Sequence, residues 1–285
     1  MLRTIKQIHE AISDPIDDLM TYRPIPTRSI GYIDPFLFLN HHGYQIYPPQ
    51  NKGLPFGPHP HRGMDTVTLI LHGDISHLDS AGGESIVNSG GVQWMHAGKG
   101  IIHAEVSSEK FKQQGGPLEI LQLWVNLPAS EKKTSPWYKG LQEKAIPTHS
   151  NDEEQITVHI ISGTYKGIQG PFVPAVPLSL YTIDLAAEAF LELDIPKEEN
   201  IFYYVIKGDL EVNGTEIGEK ELVEFRNDDR SVCSKAITDS QLLIGHALPL
   251  CEPVVSHGPF VMNTEQEIKK AYNDYRQGKF GEWKS

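Results

Sequence analysis

The sequence has few cysteines and no long apolar run, and each absence excludes a class of protein. Its 285 residues include two cysteines, Cys233 and Cys251, too few for a disulfide-stapled scaffold. We expect both to be free, buried thiols in a reducing compartment. No apolar run approaches the roughly 18 residues of a membrane-spanning helix. Residues 1–10 also lack the apolar core of a signal peptide, which predicts a cytoplasmic protein.

Positive charge is also scarce. The chain has 25 basic against 37 acidic residues, a formal net charge of −12. Such a surface repels phosphate backbones, and no cluster of Lys and Arg is dense enough to reverse this locally. We therefore predict no direct binding to nucleic acid and no membrane association. The length suffices for two domains of about 130 residues, each with its own core.

Two short motifs carry the residue types that bind metals. The first, Pro58–Gly63, contains His59 and His61; the second, Gly100–Glu105, contains His103 and Glu105. Within each motif the two residues are at positions i and i+2, which places them on one face of a strand, roughly 6.5 Å apart. On a helix the same spacing would make them diverge. Two such strands side by side would aim three imidazoles and one carboxylate at a common point, which predicts a metal site.

The ligand types leave the identity of the metal open. Imidazole and carboxylate suit iron, manganese, nickel, copper and cobalt about equally, and zinc is a further alternative. Four protein ligands leave two octahedral positions for water, dioxygen or a chelating substrate. The rival carboxylate is Asp65, four residues beyond His61 and therefore roughly 13 Å away along an ideal strand. We expect Asp65 to support the site at most, and Glu105 to reach the metal more easily.

Other histidines and aromatic residues near the motifs have more ordinary interpretations. We interpret His77, Asp79 and His96 as hydrogen-bonded structural residues rather than as ligands or bases. A loop is expected to contain the pair His41 and His42, which precedes a glycine. The core is expected to contain Trp94 and Trp124 rather than a substrate-binding wall.

Several segments resemble the pirin family of the cupin superfamily: Phe56–Gly63, Gln93–Glu105, Leu123–Pro128, Gly258–Thr264, Arg28–Gly31 and Asp34–Leu37. The resemblance extends from about residue 27 to the C-terminal helix. It implies an all-β fold of two tandem cupin-type antiparallel β-barrels (the double-stranded β-helix or jelly roll) plus a C-terminal α-helix. It further implies a metal, most often iron, in the first barrel, with His59, His61, His103 and Glu105 as its ligands. The position of Asp65 departs from the usual cupin pattern, which has Glu.

The second half of the chain repeats the first without its ligands. Residues 201–214 parallel residues 67–75, since both place a β run before Gly-Asp, as a tight barrel turn needs. No His-x-His precedes Ile201, and residues 231–235 replace the Gly-x-x-His segment. We therefore predict a metal-binding barrel over 1–130 and a degenerate, metal-free barrel over 131–285. The polar stretch 129–136 is the linker candidate.

A helix is predicted at the C-terminus. Residues 264–267, Thr-Glu-Gln-Glu, form a capping box, and apolar residues follow at i, i+3, i+4 and i+7, namely Ile268, Ala271, Tyr272 and Tyr275. A stop is supplied by Gly278.

Two functions of different classes follow from the resemblance. The first is a metal- and O₂-dependent dioxygenase acting on flavonols, of the quercetin 2,3-dioxygenase type, in which Glu105 would also accept a proton as the substrate chelates the metal. The alternative is a non-enzymatic regulatory protein whose metal and its redox state control the binding of protein partners. An acidic chain without a basic tail favours the enzyme, and we expect a monomer.

Overall fold

A computed structural model describes residues 1–283, which are mostly β-strand with a C-terminal helix. The first part of the chain contains β1 (Ile5–Glu10), β2 (Ile12–Ser13), β3 (Thr21–Ile25), β4 (Phe36–Tyr47), β5 (Phe56–His61), β6 (Met64–His72), β7 (Asp74–Asp79), β8 (Glu84–Asn88), β9 (Val92–His96), β10 (Ile101–Val106), α1 (Glu109–Gln114), β11 (Gly116–Asn126) and β12 (Trp137–Leu141).

A 3₁₀ turn, Glu143–Ala145, precedes the second part of the chain. There the elements are β13 (Thr148–Ser150), β14 (Ile156–Ser162), β15 (Thr164–Tyr165), β16 (Ile168–Gln169), β17 (Leu178–Leu185), β18 (Phe190–Asp194), β19 (Asn200–Lys207), β20 (Leu210–Val212), β21 (Thr215–Ile217), β22 (Glu221–Phe225), β23 (Ser231–Ala236), β24 (Ser240–Ala247), β25 (Val255–His257), β26 (Phe260–Met262) and α2 (Glu265–Arg276).

The chain divides into two compact units, and each end belongs to the unit built mainly from the other half. Barrel 1 consists of Asp14–Thr21, Phe38–Lys144 and the chain from Leu250 onward; barrel 2 consists of Met1–Ser13, Tyr22–Leu37 and Ala145–Pro249. The division predicted at residues 130 and 131 does not coincide with these units. The C-terminal helix lies in barrel 1 instead of barrel 2, because its apolar face packs there.

Barrel 1 pairs two antiparallel sheets. In one sheet the neighbouring strands include, in order, β12-β9-β6-β11-β4; in the other the order is β5-β10-β7-β8. Strand β6 is central, hydrogen-bonded to β11 on one side and to β9 on the other. Its side chains are buried almost without interruption, including those of the polar residues Asp65, Thr66 and Thr68.

Barrel 2 repeats this strand order. Its sheets are β1-β22-β19-β24-β17-β14-β13 and β18-β23-β20-β21, so the pair β18–β23 occupies the place that the pair β5–β10 has in barrel 1. Barrel 2 has Leu191 opposite Ser234 and Leu193 opposite Val232 in that pair, and all four side chains are buried. The Tyr203 hydroxyl pairs with Ser234 Oγ at 2.7 Å. In barrel 2 this strand pair therefore has buried leucine, valine and serine side chains and no histidine.

The C-terminal helix begins as the capping box predicts. The Thr264 hydroxyl accepts a hydrogen bond from the Glu267 backbone N–H at 3.2 Å, and the helix ends at Arg276, two residues before Gly278. Buried Ile268 and Ala271 form an apolar cluster with β26 and Phe280. Among the described residues, no helix has both the length and the apolar character that crossing a membrane would require.

Three local expectations are corrected by the structure. The predicted linker 129–136 is part of barrel 1, since Lys132 is fully buried there. Instead of lying in a loop, His41 and His42 are buried within β4. The expected burial of both thiols is wrong. Cys251 is exposed and Cys233 only half-buried, because Cys251 follows the last strand of barrel 2 and Cys233 lies in an alternating strand.

Candidate metal centre

Three of the four predicted ligands lie together. The ligand nitrogens of His59, His61 and His103 are all within 4.8 Å of one another. Strand β5 contributes His59 and His61, and the antiparallel register of β10 places His103 directly opposite His59. The ring centroids of His59 and His103 are 4.4 Å apart. The i and i+2 spacing on adjacent strands thus produces the predicted convergence.

Hydrogen bonds leave one lone pair available on each ring of the β5 pair. The Nδ1 atom of His59 lies 2.7 Å from the Gly57 carbonyl oxygen, and that of His61 lies 3.3 Å from the Pro259 carbonyl oxygen. Because a carbonyl only accepts, each Nδ1 carries the proton and each Nε2 has a free lone pair. This is the usual arrangement of a metal-binding histidine.

The third histidine is His103. Both of its ring nitrogens are buried, and neither has a hydrogen-bond partner among the described residues. Burying an imidazole in that way is costly unless something else satisfies it. Burial lowers the pKa of His61 to about 3 and that of His103 well below its ordinary value, with neighbouring histidines adding to the effect. The imidazoles of His61 and His103 are therefore neutral at pH 7, as metal binding requires. These observations fit a divalent cation at the centre of the cluster.

The fourth predicted ligand, Glu105, is not part of this close group. Its carboxylate is buried and is held by three donors from three strands. The Oε1 atom accepts from Thr68 Oγ1 at 2.8 Å and from Gln93 Nε2, and the Oε2 atom accepts from Gln122 Nε2 at 2.6 Å. Glu105 follows His103 by two residues on β10, so the two side chains leave the same face of the strand.

The amide of Gln93 is itself held in one orientation. Its Oε1 accepts a hydrogen bond from the Tyr138 hydroxyl at 3.0 Å, while its Nε2 donates to Glu105. Burial raises the pKa of Tyr138 to about 12, so its hydroxyl remains a donor at neutral pH. A short relay from Tyr138 through Gln93 thus orients the carboxylate.

Sequence reasoning missed Thr68, Gln93 and Gln122. For the two glutamines, the available signal was their position inside otherwise apolar strand runs, Val92–Met95 and Ile120–Val125. A buried amide needs hydrogen-bond partners, so such a glutamine marks a polar interaction in the barrel interior.

The rival carboxylate Asp65 is engaged elsewhere. It is buried, accepts from Trp94 Nε1 at 2.8 Å through Oδ2, and accepts from His96 Nδ1 at 2.7 Å through Oδ1. The other ring nitrogen of His96 pairs with the Thr134 hydroxyl at 2.7 Å. These contacts give Asp65 and His96 a structural role, and Trp94 is a fully buried core residue.

The buried histidine His77 borders the cluster on the next strand. It lies opposite Glu105 in the β10–β7 register, stacks on Tyr138 with ring centroids 3.7 Å apart, and pairs through Nε2 with Asp79 at 3.0 Å. Burial acts to raise the pKa of Asp79. Hydrogen bonds from His77 and from the backbone N–H groups of Gly83 and Ala81 outweigh this effect and leave that pKa below its ordinary value.

Access to the cluster is from the side of His59. Its ring is half-buried, whereas His61 and His103 are almost fully buried. The half-buried indole of Trp124 contacts His61 edge to face at 5.2 Å and stacks on Phe38 at 4.6 Å. Trp124 thus borders the cluster, in contrast to the expectation that it belongs only to the core.

The comparisons with known proteins agree with this architecture. The pirin family model matches residues 19–125, and the model of the pirin C-terminal cupin domain matches residues 180–281. Human pirin is 36% identical over 276 residues, covering 90% of each chain. A Pseudomonas aeruginosa protein, named provisionally as a quercetin 2,3-dioxygenase, is 37% identical over 266 residues, covering 93% of this chain and 92% of its own.

A solved structure extends the likeness to the whole fold. The crystal structure of a quercetin 2,3-dioxygenase from Acinetobacter baumannii superposes with a TM-score of 0.93 at 31% identity, covering 99% of both chains. The predicted fold of two cupin-type barrels with a C-terminal helix is confirmed. The chain belongs to the pirin family.

Proposed function

We propose that this protein is a metal- and O₂-dependent dioxygenase that acts on flavonols, of the quercetin 2,3-dioxygenase type. The observation that carries the proposal is the close group of three imidazoles, two of which have an Nε2 lone pair left free by a backbone hydrogen bond. The A. baumannii quercetin 2,3-dioxygenase, similar over the full chain, supports the choice of substrate class.

Iron is the proposed metal, with His59, His61 and His103 as ligands and Glu105 as the fourth. When bound, a divalent redox metal supplies a Lewis-acidic centre with positions open to a hydroxy-ketone and to O₂. For ligation by Glu105, its carboxylate must give up or share one of its hydrogen bonds. If Oε2 binds the metal, Thr68 and Gln93 would still hold Oε1 in place.

The chain's own residues would position the flavonol and receive its proton. The substrate would enter beside half-buried His59, with Trp124 as an aromatic wall next to His61. As the flavonol hydroxyl approaches the metal, Glu105 would accept the hydroxyl proton. The relay from Tyr138 through Gln93 would hold that carboxylate in orientation, because Gln93 can donate only through its amide nitrogen.

The direct test is oxygen uptake on adding quercetin to protein loaded with iron, and in parallel with manganese, nickel or cobalt. We expect uptake that requires both metal and flavonol, and loss of uptake and of stoichiometric metal in His103→Ala. The matched control is His72→Ala, since His72 is half exposed at the end of β6 and should keep both. Wild-type metal content in His103→Ala would refute the ligand assignment.

A second variant tests the contribution of Glu105. Glu105→Gln keeps the size of the side chain but cannot accept three hydrogen bonds or the substrate proton. We expect uptake to fall by at least about a hundredfold, the scale of general-base catalysis, with weaker metal binding. The regulatory alternative predicts no uptake with any metal. In that case, the expected finding is a protein partner whose affinity changes with the oxidation state of bound iron.

A further inference from the structure

Barrel 2 contains a cavity of about 550 Å³ between strands β17, β18 and β24 and the hairpin β15–β16. Its apolar surface includes Leu193 and Ile195. Its aromatic walls are Tyr165 and Tyr181, whose rings meet edge to face at 5.7 Å. This size is within the range of cavities that hold small organic ligands, roughly 300–1,000 Å³.

One buried histidine supplies a directed polar group in this cavity. The side chain of His246 is 11% exposed, and its Nδ1 lies 2.5 Å from Glu199 Oε2. A carboxylate accepts a hydrogen bond here, so the tautomer that fits this contact has its proton on Nδ1. Nε2 is then left as a hydrogen-bond acceptor. The ring also lies against Tyr181, with centroids 5.8 Å apart.

The strand order gives this histidine a counterpart beside the metal cluster. In barrel 2, His246 on β24 lies opposite Ile201 on β19; in barrel 1, Trp124 on β11 lies opposite Thr66 on β6. These strand pairs have the same place in the two sheet orders. Each opposed residue, Ile201 on β19 or Thr66 on β6, is seven positions before the glycine of the Gly-Asp turn that follows it. Trp124 contacts His61 of the histidine cluster. The position of His246 in barrel 2 therefore corresponds to that of Trp124, which borders the histidine cluster in barrel 1.

The charges around the cavity restrict the ligand. The carboxylates of Glu192, Asp194 and Glu199 line it, together with Lys166 and Arg230. The guanidinium of Arg230 is occupied by Asp194, with two hydrogen bonds of 2.8 Å. The carboxylates outnumber the cations, so an anionic ligand is disfavoured.

We propose that this cavity binds a small, uncharged aromatic molecule carrying a hydroxyl group. Its ring would pack against Tyr165, Tyr181 and the apolar surface, where aromatic edges and faces are complementary. Its hydroxyl would donate a hydrogen bond to His246 Nε2. Barrel 2 is thus a second ligand-binding site that needs no metal and does not depend on the activity proposed for barrel 1.

The test measures the binding of 2-naphthol to the full-length protein by isothermal titration calorimetry. This probe is planar and has a single hydroxyl, so it cannot chelate a metal in barrel 1. We expect one saturable site in the wild type and affinity reduced at least tenfold in His246→Phe, which retains an aromatic ring but removes the acceptor. Should that variant not fold, Tyr165→Ala serves instead, because Tyr165 is half-buried on a hairpin, and it should weaken binding at least fivefold.

The matched control is His159→Phe. The same sheet holds this second histidine–carboxylate pair, His159 with Asp184 at 2.9 Å, outside the cavity lining, so wild-type affinity is expected. His61→Ala is likewise expected to bind the probe normally. Absence of saturable binding would overturn the proposal, as would unchanged affinity in His246→Phe and Tyr165→Ala or a loss of binding in His61→Ala.

Discussion

Arg62 donates a hydrogen bond from Nη1 to Oδ2 of Asp274 at 2.9 Å, which links the residue next to His61 of the histidine cluster to the C-terminal helix. The same carboxylate accepts from Lys270 Nζ at 2.9 Å and from Lys279 Nζ at 2.8 Å. It is only 5% exposed. The helix at the end of the chain therefore supports the strand that supplies two of the candidate ligands.

Asp274→Asn is expected to lower the free energy of unfolding by about 2 kcal/mol, the scale of a hydrogen bond to charged groups. The three cations hold the pKa of Asp274 well below its ordinary value. A carboxyl with a lowered folded-state pKa stabilises the protein above its unfolded pKa of about 3.9 and loses this contribution as pH falls below it.

Urea unfolding at pH 7 and at progressively lower pH measures both effects. The difference between wild type and Asp274→Asn should shrink below about pH 4. The control is Glu265→Gln in the exposed first turn of the same helix, where a change under about 0.5 kcal/mol is expected. Equal stabilities of wild type and Asp274→Asn at pH 7 would contradict the prediction.

Asp65→Asn is expected to leave the metal content unchanged while destabilising the protein by about 1–3 kcal/mol. Its two oxygens accept hydrogen bonds from Trp94 and His96, and an amide can accept through only one. Elemental analysis and urea unfolding measure the two quantities, with exposed Asp152→Asn as the control. Loss of metal would mean that Asp65, rather than Glu105, serves the site.

Gly63→Ala is expected to destabilise barrel 1 by roughly 2 kcal/mol or more and to weaken metal binding. Gly63 has φ of +80°, and a Cβ there would lie 2.0 Å from the carbonyl oxygen of Val261. Both the backbone strain and the overlap oppose a side chain. The control is Gly57→Ala on β5, whose added Cβ meets nothing within 4 Å. Matching thermal midpoints and metal affinities for the two variants would count against this explanation.

Because Lys132 is fully buried, we expect the free energy of unfolding to depend on pH. Its Nζ donates to Gly63 O and Asn126 Oδ1, both at 2.7 Å, and to Val261 O at 3.2 Å. Burial lowers the pKa of Lys132 to about 8, below its unfolded value of about 10.4. Between these values the unfolded chain binds more protons, so raising the pH stabilises the folded state.

Wild type should therefore gain stability relative to Lys132→Met as pH rises from 7.5 to 9.5, measured by urea unfolding. Lys133→Met is the matched control, since the neighbouring side chain is 69% exposed, and it should follow the wild-type pH profile. Parallel profiles for wild type and Lys132→Met would show that Lys132 does not titrate in this range.

The histidine cluster could be predicted because it depends on local geometry. Side chains at i and i+2 share one face of any strand, so His59 and His61 needed only an extended backbone to converge. The capping box of the C-terminal helix is equally local, since Thr264 and Glu267 are one turn apart. Such local features can be predicted without knowing how the rest of the chain folds.

The extent of each barrel could not be predicted in this way. Polar residues 129–136 have the composition of a linker, yet buried Lys132 fastens that segment to barrel 1. Its partners Gly63 and Val261 are far from it in sequence. No local pattern shows which barrel receives the C-terminal helix, because its apolar face would suit either one.

By itself, the sequence determined the strand-rich fold, the three convergent imidazoles and the absence of their counterparts from the second repeat. Periodicity and residue type suffice for these, since both act over a few residues. Only the tertiary structure decided how the carboxylate of Glu105 is held and that the last helix supports barrel 1. Those outcomes depend on hydrogen bonds and packing between strands distant in sequence, which the strand order of the sheets brings together.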